Sequence, residues 1–155
     1  MDQAFQPIWI NLMAIASYDH MPEYPIQFMT AGKLWYQSPG NALLRYTESQ
    51  QDETTGEITN CEISLTITDG KVSLVREGDY SNTLVFAENQ RYEGVYHTPY
   101  GEIPMGVVAR GVSCDIGPEK GSVHLRYELN MQGAYASTNE LHLAYRTEPK
   151  AEKGA

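Results

Sequence analysis

The sequence predicts one all-β domain rolled into a single closed or nearly closed antiparallel barrel of about ten strands. Three observations carry that reading. Hydropathy alternates with a period of two along most of the chain, turn-forming residues separate the alternating runs, and no window holds a helical apolar stripe.

The alternation places strands near 7–17, 24–31, 33–37, 42–48, 58–68, 71–77, 80–87, 91–98, 102–116 and 121–132, with a last one at 137–147. The clearest are Ser122–Met131, with odd positions apolar and even positions polar, Glu62–Thr68 and Glu140–Arg146. Each has one dry face and one wet face, as in a sheet packed on one side only. Asp69-Gly70 joins two such runs, and this dipeptide favours the positive φ angles of a two-residue type I′ hairpin. The turn sets Ile67 opposite Val72, Leu65 opposite Leu74 and Ile63 opposite Arg76, so both dry faces coincide. Ser38-Pro39-Gly40-Asn41, Asn89-Gln90, Pro99-Tyr100-Gly101 and Gly117–Gly121 punctuate the remaining runs. Pro104 removes a ladder donor just inside its strand, which predicts an edge or a bulge there. Ser49–Glu57 reads as a solvated acidic loop without EF-hand spacing. Residues 148–155 read as a disordered tail, which leaves 1–147 as the barrel domain.

A chain of 155 residues is long enough to bury a core without staples. Eleven Lys and Arg against twenty Asp and Glu give a net charge of −9, with the basic residues scattered singly. Such a surface repels phosphate, so nucleic acid is not an expected partner. No apolar run reaches the length of a membrane span, and the acidic start of the chain followed by alternation is unlike a signal peptide. A cytoplasmic location follows as the expectation; the oligomeric state is not indicated. Cys61 and Cys114 have no zinc-ligand spacing and share parity with apolar neighbours, so both are expected reduced and buried.

Function is sought among the polar residues that share the dry parity. Thr30 follows Ile26 and Phe28, Glu48 follows Leu44 and Tyr46, and Arg76 follows Val72 and Leu74. Tyr92, Gly94, Tyr96 and Thr98 share one face of the run 91–98. Glu48 and Arg76 therefore stand inward at the ends of apolar strand faces. A lone buried charge costs several kcal/mol, so the two are expected to meet, with Thr30, Tyr46, Tyr96 and Thr98 supplying further hydrogen bonds. Two roles fit this set: a salt bridge closing one barrel mouth, or an anchor for the polar head of a small ligand. No second carboxylate or histidine shares the face of Glu48, so no catalytic residues are assigned.

The histidines carry less. His124 and His142 lie on wet faces, and pairing of their strands would set His142 near Arg126, whose charge opposes a metal ion. His97 borders a turn and His20 a loop, neither with an identifiable triad partner. No metal site and no cofactor are expected.

Five segments recur in order along residues 6–147: Met29-Thr30-Ala31-Gly32, Tyr46-Thr47-Glu48-Ser49, Val75-Arg76-Glu77-Gly78, Tyr96-His97-Thr98-Pro99-Tyr100-Gly101 and Val123-His124-Leu125-Arg126-Tyr127. With these the chain resembles the YwiB-like family of uncharacterised bacterial proteins. The resemblance implies a calycin-type, lipocalin-like barrel from a bacterium, and it implies no activity. The reading that accompanies such a barrel is a small amphiphilic molecule bound in the interior. The alternatives are a ligand-free structural or protein-interaction module held by the Glu48–Arg76 salt bridge and, third, an enzyme of unknown class.

Overall fold

The computed structural model describes residues 5–17, 24–51, 54–78 and 81–147. Ten antiparallel strands follow one another: β1 (Gln6–Ser17), β2 (Tyr24–Ser38), β3 (Asn41–Gln51), β4 (Ile58–Thr68), β5 (Lys71–Glu77), β6 (Asn82–Phe86), β7 (Arg91–Thr98), β8 (Gly101–Ile116), β9 (Lys120–Met131) and β10 (Ala134–Thr147). Sequence neighbours pair except β6 and β7, and β1 also pairs with β10, so the sheet curls on itself in the order β6-β5-β4-β3-β2-β1-β10-β9-β8-β7. This is the predicted all-β, nearly closed barrel. Its two ends, β6 and β7, meet at a seam where a single bridge between Ser81 and His97 is formed among the described residues.

The Asp69-Gly70 hairpin has the register its turn dictates: Ile67 opposite Val72, Leu65 opposite Leu74, Ile63 opposite Arg76. Both turn residues have positive φ, 49° and 82°, as a type I′ turn requires. The register propagates across four strands. Ala42, Ile67, Val72 and Phe86 form one inward row, and Leu44, Leu65, Leu74 and Leu84 the next. From the other half of the barrel, Ile8, Ile10 and Leu12 of β1 meet Val107, Val123, Leu125 and Leu143 of β8–β10 in the same core. Burying each of the larger aliphatic and aromatic side chains in these rows contributes about 1.5–3 kcal/mol, which favours the register that keeps them all inward.

Several boundaries differ from the expectation. The runs 24–31 and 33–37 are one strand, because Gly32 stays extended and pairs on both sides, with Ile8 and Tyr46. A side chain there would strike Ile10 Cδ1 at 2.6 Å and the Arg45 carbonyl at 2.9 Å, so glycine is what allows β1, β2 and β3 to close up. Residues 49–51 continue β3 as partners of β4 and are not loop. Gln132-Gly133 forms a two-residue turn, with φ 53° and 83°, so β10 starts at Ala134 and not at 137.

Pro104 causes no bulge; it pairs with Val95 in regular register. Its carbonyl points toward β9 and accepts from Gln132 N–H at 2.8 Å, one residue beyond the first β8–β9 pair, Met105 with Met131. The donor it lacks therefore falls where that ladder has ended. The bulge of β8 is instead at Arg110, the extra residue between Ala109 and Gly111. Cys61 is buried and Cys114 only partly so, a correction to the expectation for the second; both are free thiols. Burial raises the Cys114 pKa. The tail 148–155 and His20 lie outside the described residues.

Candidate functional site

The third inward row across β3–β6 ends the run of aliphatic layers: Tyr46, Ile63, Arg76 and Asn82. Beyond it Glu48 stands opposite Cys61. The barrel interior thus turns from apolar to polar within one strand repeat. Arg76 reaches diagonally over β4 and its Nη1 donates to Glu48 Oε1. About a quarter of each side chain stays exposed, 25% for Arg76 and 23% for Glu48.

The surroundings explain the electrostatics. Burial by itself would lower the Arg76 pKa, but the Glu48 charge and hydrogen bond outweigh it, and the guanidinium stays firmly cationic. Burial and then the negative charge of Glu48 push the Tyr46 phenol well above the usual tyrosine range, with Arg76 only partly opposing them. Tyr96, on β7 across the seam, lies within electrostatic reach of Arg76. Arg76 therefore links β3, β5 and β7.

Of the six expected site residues, Tyr46, Glu48, Arg76 and Tyr96 come together. Thr30 and Thr98 do not bond to them. The β2–β3 ladder ends at Gly32–Tyr46 among the described residues, and Thr30 Oγ1 donates to the neighbouring Ala31 carbonyl at 3.4 Å. Thr98 is used by its own hairpin: its Oγ1 accepts from Tyr100 N–H at 3.1 Å and donates to the Gly101 carbonyl at 2.8 Å.

The sequence reading missed the wall on the other side of Arg76. Val75, Arg76, Asn82, Thr83, Tyr92 and His97 line an open cleft of about 460 Å³ along the seam. Asn82 sits directly opposite Arg76, its Nδ2 directed at Met105 Sδ at 3.6 Å. Its Oδ1 is buried without a hydrogen-bond partner. The cleft thus has a fixed cation and a phenol in its wall, with the unmet Asn82 Oδ1 buried behind them. A signal for Asn82 existed only in its register with Arg76, and the connection between β5 and β6 does not fix that register from sequence.

His124 and His142 lie on the outer face as expected, with Arg126 one cross-strand pair away, and what the alternation did not give is that they stand directly opposite each other. β9 and β10 pair so that His124 faces His142 and Arg126 faces Glu140. The two imidazoles stack with centroids 3.9 Å apart.

Among the described residues no helix is long and apolar enough to cross a membrane. No curated protein matches the chain. Its fold is similar to that in the crystal structure of the ywiB protein from Bacillus subtilis, with 17% identity, 93% of each chain covered and a TM-score of 0.77. That likeness speaks for the barrel, in line with the YwiB-like resemblance of the five segments. Residues 10–143, reaching from β1 into β10, match the family model described as a domain of unknown function (DUF1934), and the chain belongs to that family.

Proposed function

We propose that the chain is a small-ligand-binding barrel in which Arg76 anchors the polar head of a small amphiphilic molecule at the β6–β7 seam. One observation carries the reading. An inward arginine, held by Glu48 on one side, opens on its other side into a cleft of about 460 Å³ beside the buried, unmet Asn82 Oδ1. A salt bridge that only closes a barrel mouth has no use for an unsatisfied acceptor beside it, because such an atom costs about 1–3 kcal/mol. A ligand bearing an acceptor for Arg76 and a donor for Asn82 would satisfy both. The aliphatic rows at Leu44 and Ala42 are packed, so the head group stays at the polar end of the interior.

The reading includes a cytoplasmic site of action without nucleic-acid or membrane partners, supported by the free thiols of Cys61 and Cys114 and the charge of −9. Native mass spectrometry of protein purified from bacterial cytosol tests the binding. A bound mass on the wild type that is lost from a folded Glu48→Leu/Arg76→Met double variant and from Asn82→Leu supports an anchor. Identical spectra for all three proteins would leave the pair as a structural salt bridge.

A further inference from the structure

We infer that the outer face of the β9–β10 hairpin holds a divalent transition-metal site made by His124, His142 and Glu140, with Zn²⁺ as the matching ion. The site is separate from the seam and independent of the ligand-binding reading. Its geometry follows from two features of the hairpin. The Gln132-Gly133 turn sets Met131 opposite Ala134, and the irregularity between Tyr135 and Ser137 shifts the register by one residue. The result is His124 directly opposite His142 on the outer face. Glu140, two residues before His142, lies on that same face.

The three side chains converge. Glu140 Oε2 is 4.0 Å from His124 Nε2, and Glu140 Oε1 is 3.9 Å from His142 Nε2. One ligand atom from each residue lies within 4.8 Å of the other two. These separations are too long for hydrogen bonds. Around a tetrahedral ion with bonds of about 2.0–2.1 Å, ligand atoms stand roughly 3.4 Å apart, so small side-chain rotations close the set. His124 Nε2 is buried and has no hydrogen-bond partner among the described residues. An unmet imidazole nitrogen aimed at a carboxylate, and stacked on a second imidazole, is a donor set that a borderline cation completes. Two imidazoles and one carboxylate match the ligands of open zinc sites, where a water takes the fourth position. Arg126, opposite Glu140, is the opposing charge nearby. The net charge of −9 favours the approach of a cation.

The test is calorimetric titration of the metal-free full chain with ZnCl₂, comparing wild type with His124→Ala, His142→Ala and Glu140→Gln. All three side chains are 37–43% exposed, so the variants are expected to fold. The expected result is one ion per chain, with affinity falling at least tenfold in each histidine variant and less in Glu140→Gln. Unchanged affinity in the two histidine variants, or no binding to the wild type, overturns the site. Should a variant fail to fold, histidine acylation of the wild type decides. Zn²⁺ is expected to protect His124 and His142 and to leave His97 reactive, and equal reactivity of His124 and His142 with and without the ion refutes the inference.

Discussion

Replacing Arg76 by methionine leaves Glu48 facing the interior without its cation. Breaking a fully buried ion pair by removing one partner costs about 3–5 kcal/mol, while exposed pairs contribute about 0–1 kcal/mol. With both side chains about one quarter exposed, the loss falls between these limits, at roughly 2–3 kcal/mol. Glu48→Leu leaves Arg76 beside Ile63, Tyr46 and Asn82 and is expected to cost a similar amount. The double variant should behave differently. Methionine keeps the length of the arginine stem and leucine suits the apolar side of Cys61, so the double variant is expected within about 1 kcal/mol of wild type. The coupling energy would then be several kcal/mol, since two single losses nearly cancel. Urea unfolding followed by tryptophan fluorescence reads this directly. At a slope of about 2 kcal/mol per molar, each single variant shifts its midpoint by roughly 1–1.5 M, and the double variant by less than about 0.5 M. Additive losses, or single losses below about 0.5 kcal/mol, would refute the argument that these charges are tolerable only together.

Gly32→Ala is expected to cost about 1–3 kcal/mol in the same unfolding assay, since its methyl would meet Ile10 Cδ1 at 2.6 Å and the Arg45 carbonyl at 2.9 Å. An unchanged midpoint would mean that β1 and β3 do not close on β2 there. Gly70→Val should destabilise the β4–β5 hairpin by about 1 kcal/mol or more, because a branched side chain is strained at φ 82°; Thr68→Val, on the exposed face of β4, serves as the neutral control. Burial, with Tyr36 and Asp115 adding, raises Tyr145 from 10 to about 12, while its bond to the Gly117 backbone pulls it back. The unfolded chain therefore loses this proton first, so stability from Tyr145 is fully present below pH 10 and declines as the pH rises toward 12. Unfolding midpoints from pH 9 to 12 should fall less steeply for Tyr145→Phe than for wild type, and parallel curves would contradict the shift.

The sequence by itself determined what depends on local chemistry and strict alternation. A period of two can bury one face only in a sheet, and a long series of such strands with tight turns leaves a barrel as the economical closure. Asp69-Gly70 fixed its own register because a two-residue turn allows no slack, which placed Arg76 opposite the inward Ile63, and alternation after Leu44 and Tyr46 placed Glu48 inward. The meeting of these charges was legible for the same reason: an inward charge needs a partner, and the other was the nearest available.

Tertiary structure decided everything that depends on where alternation breaks or where strands distant in sequence meet. The bulge at Arg110 reverses parity within β8, so Val107 and Val112 both face inward although alternation separates them. Thr30 and Thr98 share the dry parity of the site and still miss it, because β2 parts from β3 past Gly32 and because Thr98 is claimed by its own turn. The unmet Asn82 faces Arg76 through a connection whose length, unlike that of a two-residue turn, leaves the register free. In β9–β10 the Gln132-Gly133 turn alone would set His142 opposite Val123, and the one extra residue between Tyr135 and Ser137 sets it opposite His124 instead. A single-residue shift changes which side chains are neighbours without changing the hydropathy pattern, and for that reason the pattern could not reveal it.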